Sequence, residues 1–130
     1  MVTPDTSQRP RLPVAVGIGI RPGTGAERIL RAIRSVVGDT TITCLATLDR
    51  RATEAGVQAA AATIGVAVVA FTAEQLAAVD VRNRSHRTAD AVGTPSVAEA
   101  AALLAGNGEL VCGRTIVDGI VIAAAAVPRS

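Results

Sequence analysis

The sequence predicts an α/β fold: a single three-layer α/β/α domain around a mostly parallel sheet of about five strands, ending in a C-terminal antiparallel hairpin. Three observations carry this. Short apolar runs rich in β-branched residues, bounded by Gly or Pro, alternate with amphipathic or alanine-rich stretches of helical period. The last two apolar runs are separated by Asp118-Gly119, a two-residue hairpin signal. The length of 130 residues, 49% of them hydrophobic, suits one domain with one core.

Met1 to Pro13 is polar and Pro-rich with no apolar h-region, so it reads as a loose tail and not as a signal peptide; residues 14–130 form the domain. Val14 to Ile20 reads as a buried strand. Arg21-Pro-Gly-Thr-Gly25 is a turn whose glycines suit positive φ. Thr24, with Glu27 three residues on, offers a capping box for a helix over Ala26–Val37. Ile29, Leu30, Ile33 and Val37 share its apolar face, Glu27, Arg28, Arg31 and Arg34 face water, and Gly38 ends it. Thr41–Thr47 is a second strand, followed by a polar, charged stretch from Leu48 to Glu54. An alanine-rich helix from about Glu54 to Ile64 closes at Gly65.

Val66–Phe71 is a continuous apolar run, as expected of a strand covered on both faces. Thr72 caps a short helix from Ala73 to about Val79. Asp80–Asp90, with Arg82, Arg84, His86 and Arg87, reads as a surface loop. Ser96 and Glu99 form a second capping box before a helix over Val97–Leu104, stopped by Gly106 and Gly108. Glu109–Val117 and Gly119–Val127 are the hairpin strands. Strand order is not readable at this level.

Composition excludes several functions. All 13 basic residues are arginine, so Schiff-base chemistry and a P-loop lysine are ruled out. Arginine usage beside so much Ala and Gly fits a GC-rich coding sequence; it also supplies planar forks for carboxylates or phosphates. One Phe and no Tyr or Trp leave no base-stacking platform, which with a net charge of +2 argues against nucleic acid as a partner. Cys44 and Cys112 are distant and form no CxxC, and His86 is the sole histidine, so no metal site or disulfide framework is indicated. No apolar stretch reaches the ~20 residues that span a bilayer. A cytoplasmic protein without membrane contact is the expectation.

Three polar turns could carry chemistry. In Gly17-Ile-Gly-Ile-Arg-Pro-Gly-Thr-Gly25, backbone N–H groups of a glycine turn and a helix N-terminus converge, and Arg21 could clamp the same anion. Gly17, Gly19, Arg21, Gly23 and Thr24 are its candidate binding residues; a plain structural turn is the alternative. The spacing is not GxGxxG, and no acidic ribose partner is evident. The second turn is Thr47-Leu-Asp-Arg-Arg-Ala-Thr-Glu54, at a strand's carboxyl end, where α/β sheets usually bind ligands. It offers Thr47 and Arg51 for binding and Asp49 or Glu54 as a general base. Alternatively Asp49 or Thr53 merely caps the next helix. The third is Gly93-Thr-Pro-Ser96, where Thr94 and Ser96 either bind an anion or simply open a helix.

Taken in order, these segments resemble the CobE/CbiG C-terminal family. GIGIRPGTG is similar to its G-x-G-C-R-x-G turn, with Ile20 at the cysteine place. Ala46-Thr-Leu-Asp-Arg-Arg-Ala-Thr-Glu54 is similar to A-S/T-x-D-x-K-x-x-E, with Arg51 at the lysine. Phe71–Leu76 matches F-S/T-x-E-x-L, and Val92–Leu103 matches V-G-x-x-S-V-A-E-A-A-A-L. Arg114 stands near a second lysine place, and Val121–Val127 near the last strand. Arginine at both places keeps the charge but not a lysine's proton transfer.

The resemblance implies a role in corrin-ring construction. It implies binding of a carboxylate-rich precorrin or corrinoid tetrapyrrole, with no cofactor, by a pocket lined by Arg21, Gly23, Thr24, Asp49, Arg51, Glu54, Thr94 and Ser96. The longer CbiG-like proteins imply a second possibility, hydrolysis of a lactone in cobalt-precorrin-5A with release of acetaldehyde. This chain resembles their C-terminal part alone, as CobE does. A third is a non-catalytic partner of other cobalamin-pathway enzymes, using the loop from Arg82 to Arg87.

Overall fold

The structure is a computed structural model, and it describes residues 13–79, 97–106 and 108–127. The elements are β1 (Val14–Gly19), α1 (Ala26–Val37), β2 (Ile42–Leu48), α2 (Asp49–Ala52), α3 (Ala55–Ile64), β3 (Ala67–Phe71), α4 (Ala73–Ala77), α5 (Val97–Gly106), β4 (Leu110–Val117) and β5 (Ile120–Ala126). The sheet order is β3-β2-β1-β5-β4. β1, β2 and β3 pair in parallel, and β5 is antiparallel to both β1 and β4. Four of the five strands therefore point the same way, as the sequence predicts. Of the expected tail only Pro13 is described, and its carbonyl accepts the Val127 N–H at 2.8 Å, so it belongs to the sheet's margin.

Side chains alternate across the sheet with the period-2 rule. Val16 and Ile18 of β1, Leu45 of β2 and Ile120 and Ile122 of β5 meet Ile29, Ile33 and Val37 of α1 and Val57, Ala60 and Ala61 of α3 on one face. Fully buried residues such as Ile18, Ile29, Ile33 and Leu45 each contribute on the order of 1.5–3 kcal/mol by leaving water. On the other face, Ala46 packs with Leu76 of α4 and Ala100 and Ala101 of α5, while Ala98 and Ala102 meet Ala123 and Ala125 of β5. This is the expected α/β/α layering.

The second face is built on small residues. A Cβ at Gly17 would fall on the Ala98 carbonyl, and one at Gly106 would stand 3.0 Å from the carbonyl oxygens of Ala125 and Ala126. Gly106 is therefore the last residue of α5 and not its stop, because its missing side chain lets the helix lie on β5.

Other expectations are corrected. β3 packs on both faces as expected, Val68 against one cluster and Val69 and Phe71 against the other, but it is an edge strand with Ala67 and Ala70 exposed, a position the apolar run does not encode. Thr24 does not cap α1. Gly25 holds that position, and the Thr24 hydroxyl donates to the Arg21 carbonyl at 2.7 Å instead. The Leu48–Glu54 stretch contains the short helix α2. Thr72 does cap α4, in a reciprocal box completed by Gln75. Asp118 (φ 55°) and Gly119 (φ 79°) turn the β4–β5 hairpin, with the two positive φ values a tight two-residue turn requires.

Candidate functional site

The carboxyl ends of β1 and β2 point to one edge, and the β4–β5 turn lies at the same edge because β4 runs with them. Ladder pairing of β1 with β2 ends at Gly17 and Ala46. Just beyond it, the fully buried Thr47 hydroxyl donates to the Ile18 carbonyl at 2.7 Å, satisfying an acceptor left free where the strands diverge. From that point two loops emerge.

Glu54 joins them. Its Oε1 accepts the Gly23 N–H at 2.9 Å, and its Oε2 accepts from the Arg51 guanidinium at 2.8 Å. Gly56, the second residue of α3, lets the helix approach this loop, because a Cβ there would fall on the Thr24 carbonyl. The Gly23 N–H, and then Arg51, hold the Glu54 carboxyl below the usual glutamate range against partial desolvation. A carboxylate so engaged is a weak base.

A groove of about 500 Å³ opens beside this link. Arg21, Pro22, Gly23 and Thr24 form one wall, Asp118 and Gly119 the other, with Arg28 between. The Arg28 Nε donates to Asp118 Oδ2 at 3.0 Å, and its terminal nitrogen donates to the Asp118 carbonyl at 2.9 Å. The Arg21 side chain is exposed and forms no hydrogen bond or ion pair with a described residue. At the opposite edge, Val14, Val36, Val37, Thr40, Val111 and Cys112 help line a mostly apolar hollow of about 380 Å³, to which no described residue brings a charge.

Of the residues proposed from sequence, Arg21, Gly23, Thr24, Arg51 and Glu54 come together. Asp49 is exposed at the start of α2, and no described residue pairs with it. Thr47 is buried beneath the loops. Gly17 lies under α5, and Gly19 ends β1 beside Val121. Thr94, Ser96 and the loop from Arg82 to Arg87 lie outside the described residues. The expected Ser96–Glu99 capping box lies outside the described residues; Glu99 also accepts the Arg114 backbone N–H of β4 at 2.9 Å. Sequence reasoning missed Arg28 and Asp118. The one available signal was a cation in the first turn of a helix, where the dipole disfavours it.

Cys44 and Cys112 are free thiols, and burial pushes the Cys44 thiol up, partly offset by the Thr43 hydroxyl. Among the described residues, no three His, Cys, Asp or Glu side chains converge as metal ligands, and no helix is long and apolar enough to cross a membrane.

The model of one family, cobalamin synthesis G C-terminus, matches residues 14–125, nearly the whole domain. The chain belongs to this family. Solved structures share the fold. The cobalamin biosynthesis protein chiG from Agrobacterium tumefaciens is 32% identical, with a TM-score of 0.68 over 89% of this chain and 99% of that one. CobE, from the cobalamin (vitamin B12) biosynthetic pathway, is 25% identical, with a TM-score of 0.69 over 95% and 99% of the two chains. A protein described as a cobalamin biosynthesis protein G homolog, from Sulfolobus solfataricus, is 22% identical with a TM-score of 0.70, and its likeness is one of fold. It is longer: the match covers 90% of this chain and 37% of that one. No curated protein sequence matches.

Proposed function

We propose that this member of a cobalamin-biosynthesis family binds a carboxylate-rich corrinoid intermediate at the carboxyl edge of its sheet. The observation that carries the reading is the link Gly23–Glu54–Arg51, which brings the arginine-bearing loops after β1 and β2 to one edge. Corrinoid intermediates carry many carboxylates around an apolar macrocycle, and arginine forks suit carboxylates better than any other side chain. Arg21, without a described partner, receives one carboxylate. Arg51 gives one nitrogen to Glu54 and offers its remaining N–H groups to another.

Hydrolysis of a lactone needs a carboxylate free to take a proton from water. Glu54 is occupied, so Asp49 is the residue on which a hydrolase reading would rest. Binding is the better supported of the two.

Visible absorbance tests the reading, in titrations of the protein with hydrogenobyrinic acid and precorrin-type tetrapyrroles. Saturable binding is expected, weakened about tenfold or more in Arg21→Ala and in Arg51→Ala, the scale of one lost charge-assisted hydrogen bond. Absence of saturable binding to any of them, or binding indifferent to both substitutions, would overturn it.

A further inference from the structure

We propose that the Arg28–Asp118 pair is a carboxylate-exchange point, at which Asp118 occupies Arg28 in the free protein and a carboxylate of the ligand displaces it. The inference rests on the binding reading above and deepens it by naming where a second ligand carboxylate docks and what it competes with.

The pair joins residues 90 apart in sequence and bridges the two walls of one polar groove. Among the described residues, the groove is lined by two guanidinium groups, Arg21 and Arg28, and by a single carboxylate, Asp118. The described lining therefore carries an excess of one positive charge, and one cation has no described partner. Arg28 also stands in the first turn of α1. A cation there opposes the positive end of the helix, so its position is not one that helix stability selects. What compensates it is the Asp118 carboxylate and main-chain carbonyl, and this grip is open to solvent: the two side chains are 50% and 53% exposed. Exposed pairs of this kind are weakly held and exchange readily for another anion.

The geometry of Asp118 in the pair is that of an incoming carboxylate, one oxygen on a guanidinium N–H. A ligand with carboxylates a few ångströms apart places one on Arg21 and the next on Arg28, and Asp118 turns out to water. A monocarboxylate gains little, because it either takes Arg21 alone or spends its one group displacing Asp118. The site thus favours polycarboxylates through a built-in competitor.

Asp118→Asn tests this. Asparagine adopts positive φ as readily as aspartate, so the hairpin turn is kept, while the competing charge is lost. The probes are propane-1,2,3-tricarboxylate, acetate and hydrogenobyrinic acid, followed by amide chemical shifts of the ¹⁵N-labelled full chain. Tricarboxylate is expected to bind roughly two- to fivefold more tightly to Asp118→Asn than to the unmodified protein, the range set by a surface ion pair. Acetate is expected to change less, and Arg28→Gln to abolish the difference. Tricarboxylate binding that is unchanged or weaker in a folded Asp118→Asn protein would overturn the exchange, leaving Arg28–Asp118 as a brace of the hairpin. Failure of hydrogenobyrinic acid and of the precorrin-type tetrapyrroles to bind, with the tricarboxylate result as expected, would overturn the corrinoid reading and leave the exchange standing.

Discussion

Glu54 is a helix-start residue whose carboxylate does not cap its own helix; it reaches the Gly23 N–H of a loop 31 residues earlier. That use sets a pH dependence with a definite sign. Its folded-state pKa is lowered, so above the ordinary glutamate value of about 4.3 the link contributes in full. Below that value the unfolded chain binds the proton more readily than the folded one, and the contribution declines until pH has passed through the lower folded value. Glu54→Gln is expected to melt below the unmodified protein at neutral pH, with the gap closing as pH falls from about 4.3. Thermal melts between pH 7 and pH 3 measure it, and a gap constant over that range would assign the loss to geometry and not to charge. The sequence offered Glu54 as a general base because a carboxylate after a strand end suits that role. Its partner Gly23 is a backbone group, invisible in a side-chain pattern. Arg21 and Arg51 were legible because arginines beside strand ends are few; Arg28 was not, because the helical period assigns it to water, and only the strand order reveals the hairpin opposite.

At the scale of elements, α1 and the β4–β5 hairpin were legible almost to the residue, since amphipathic period and an Asp-Gly turn are local signals. The end of α5 and the exposure of β3 were not, because both depend on what packs alongside. β1 illustrates the difference. Its glycines read as the start of an anion-binding turn, yet Gly17 is where α5 meets the sheet at backbone distance. Gly17→Ala is expected to cost about 1–3 kcal/mol, the range of overpacked cores. Gly19→Ala, whose Cβ would meet Val121 Cβ at an ordinary 3.4 Å, is expected to cost much less. Urea unfolding of both variants provides the comparison, and equal losses would show that the α5 contact yields easily.

Over the whole molecule, the layering and the mostly parallel sheet followed from alternating apolar runs and helices, whereas the order β3-β2-β1-β5-β4 came only with the structure. That order puts β1 at the centre, between a parallel and an antiparallel neighbour, and so sets the glycine loop opposite a hairpin turn. Backbone amides of β1 are expected to exchange with deuterium more slowly than those of the edge strands β3 and β4; faster exchange in β1 than in β4 would contradict a central position. The seam of Gly17, Ala98, Ala102, Ala123, Ala125 and Gly106 has a further consequence. Alanine and glycine have no rotamers to freeze, so closing this interface costs almost no side-chain entropy on folding. By the same fact it has nothing to rearrange when disturbed. This layer of the sheet behaves as a rigid mount, and any adaptation at the carboxyl edge is left to the arginine-bearing loops.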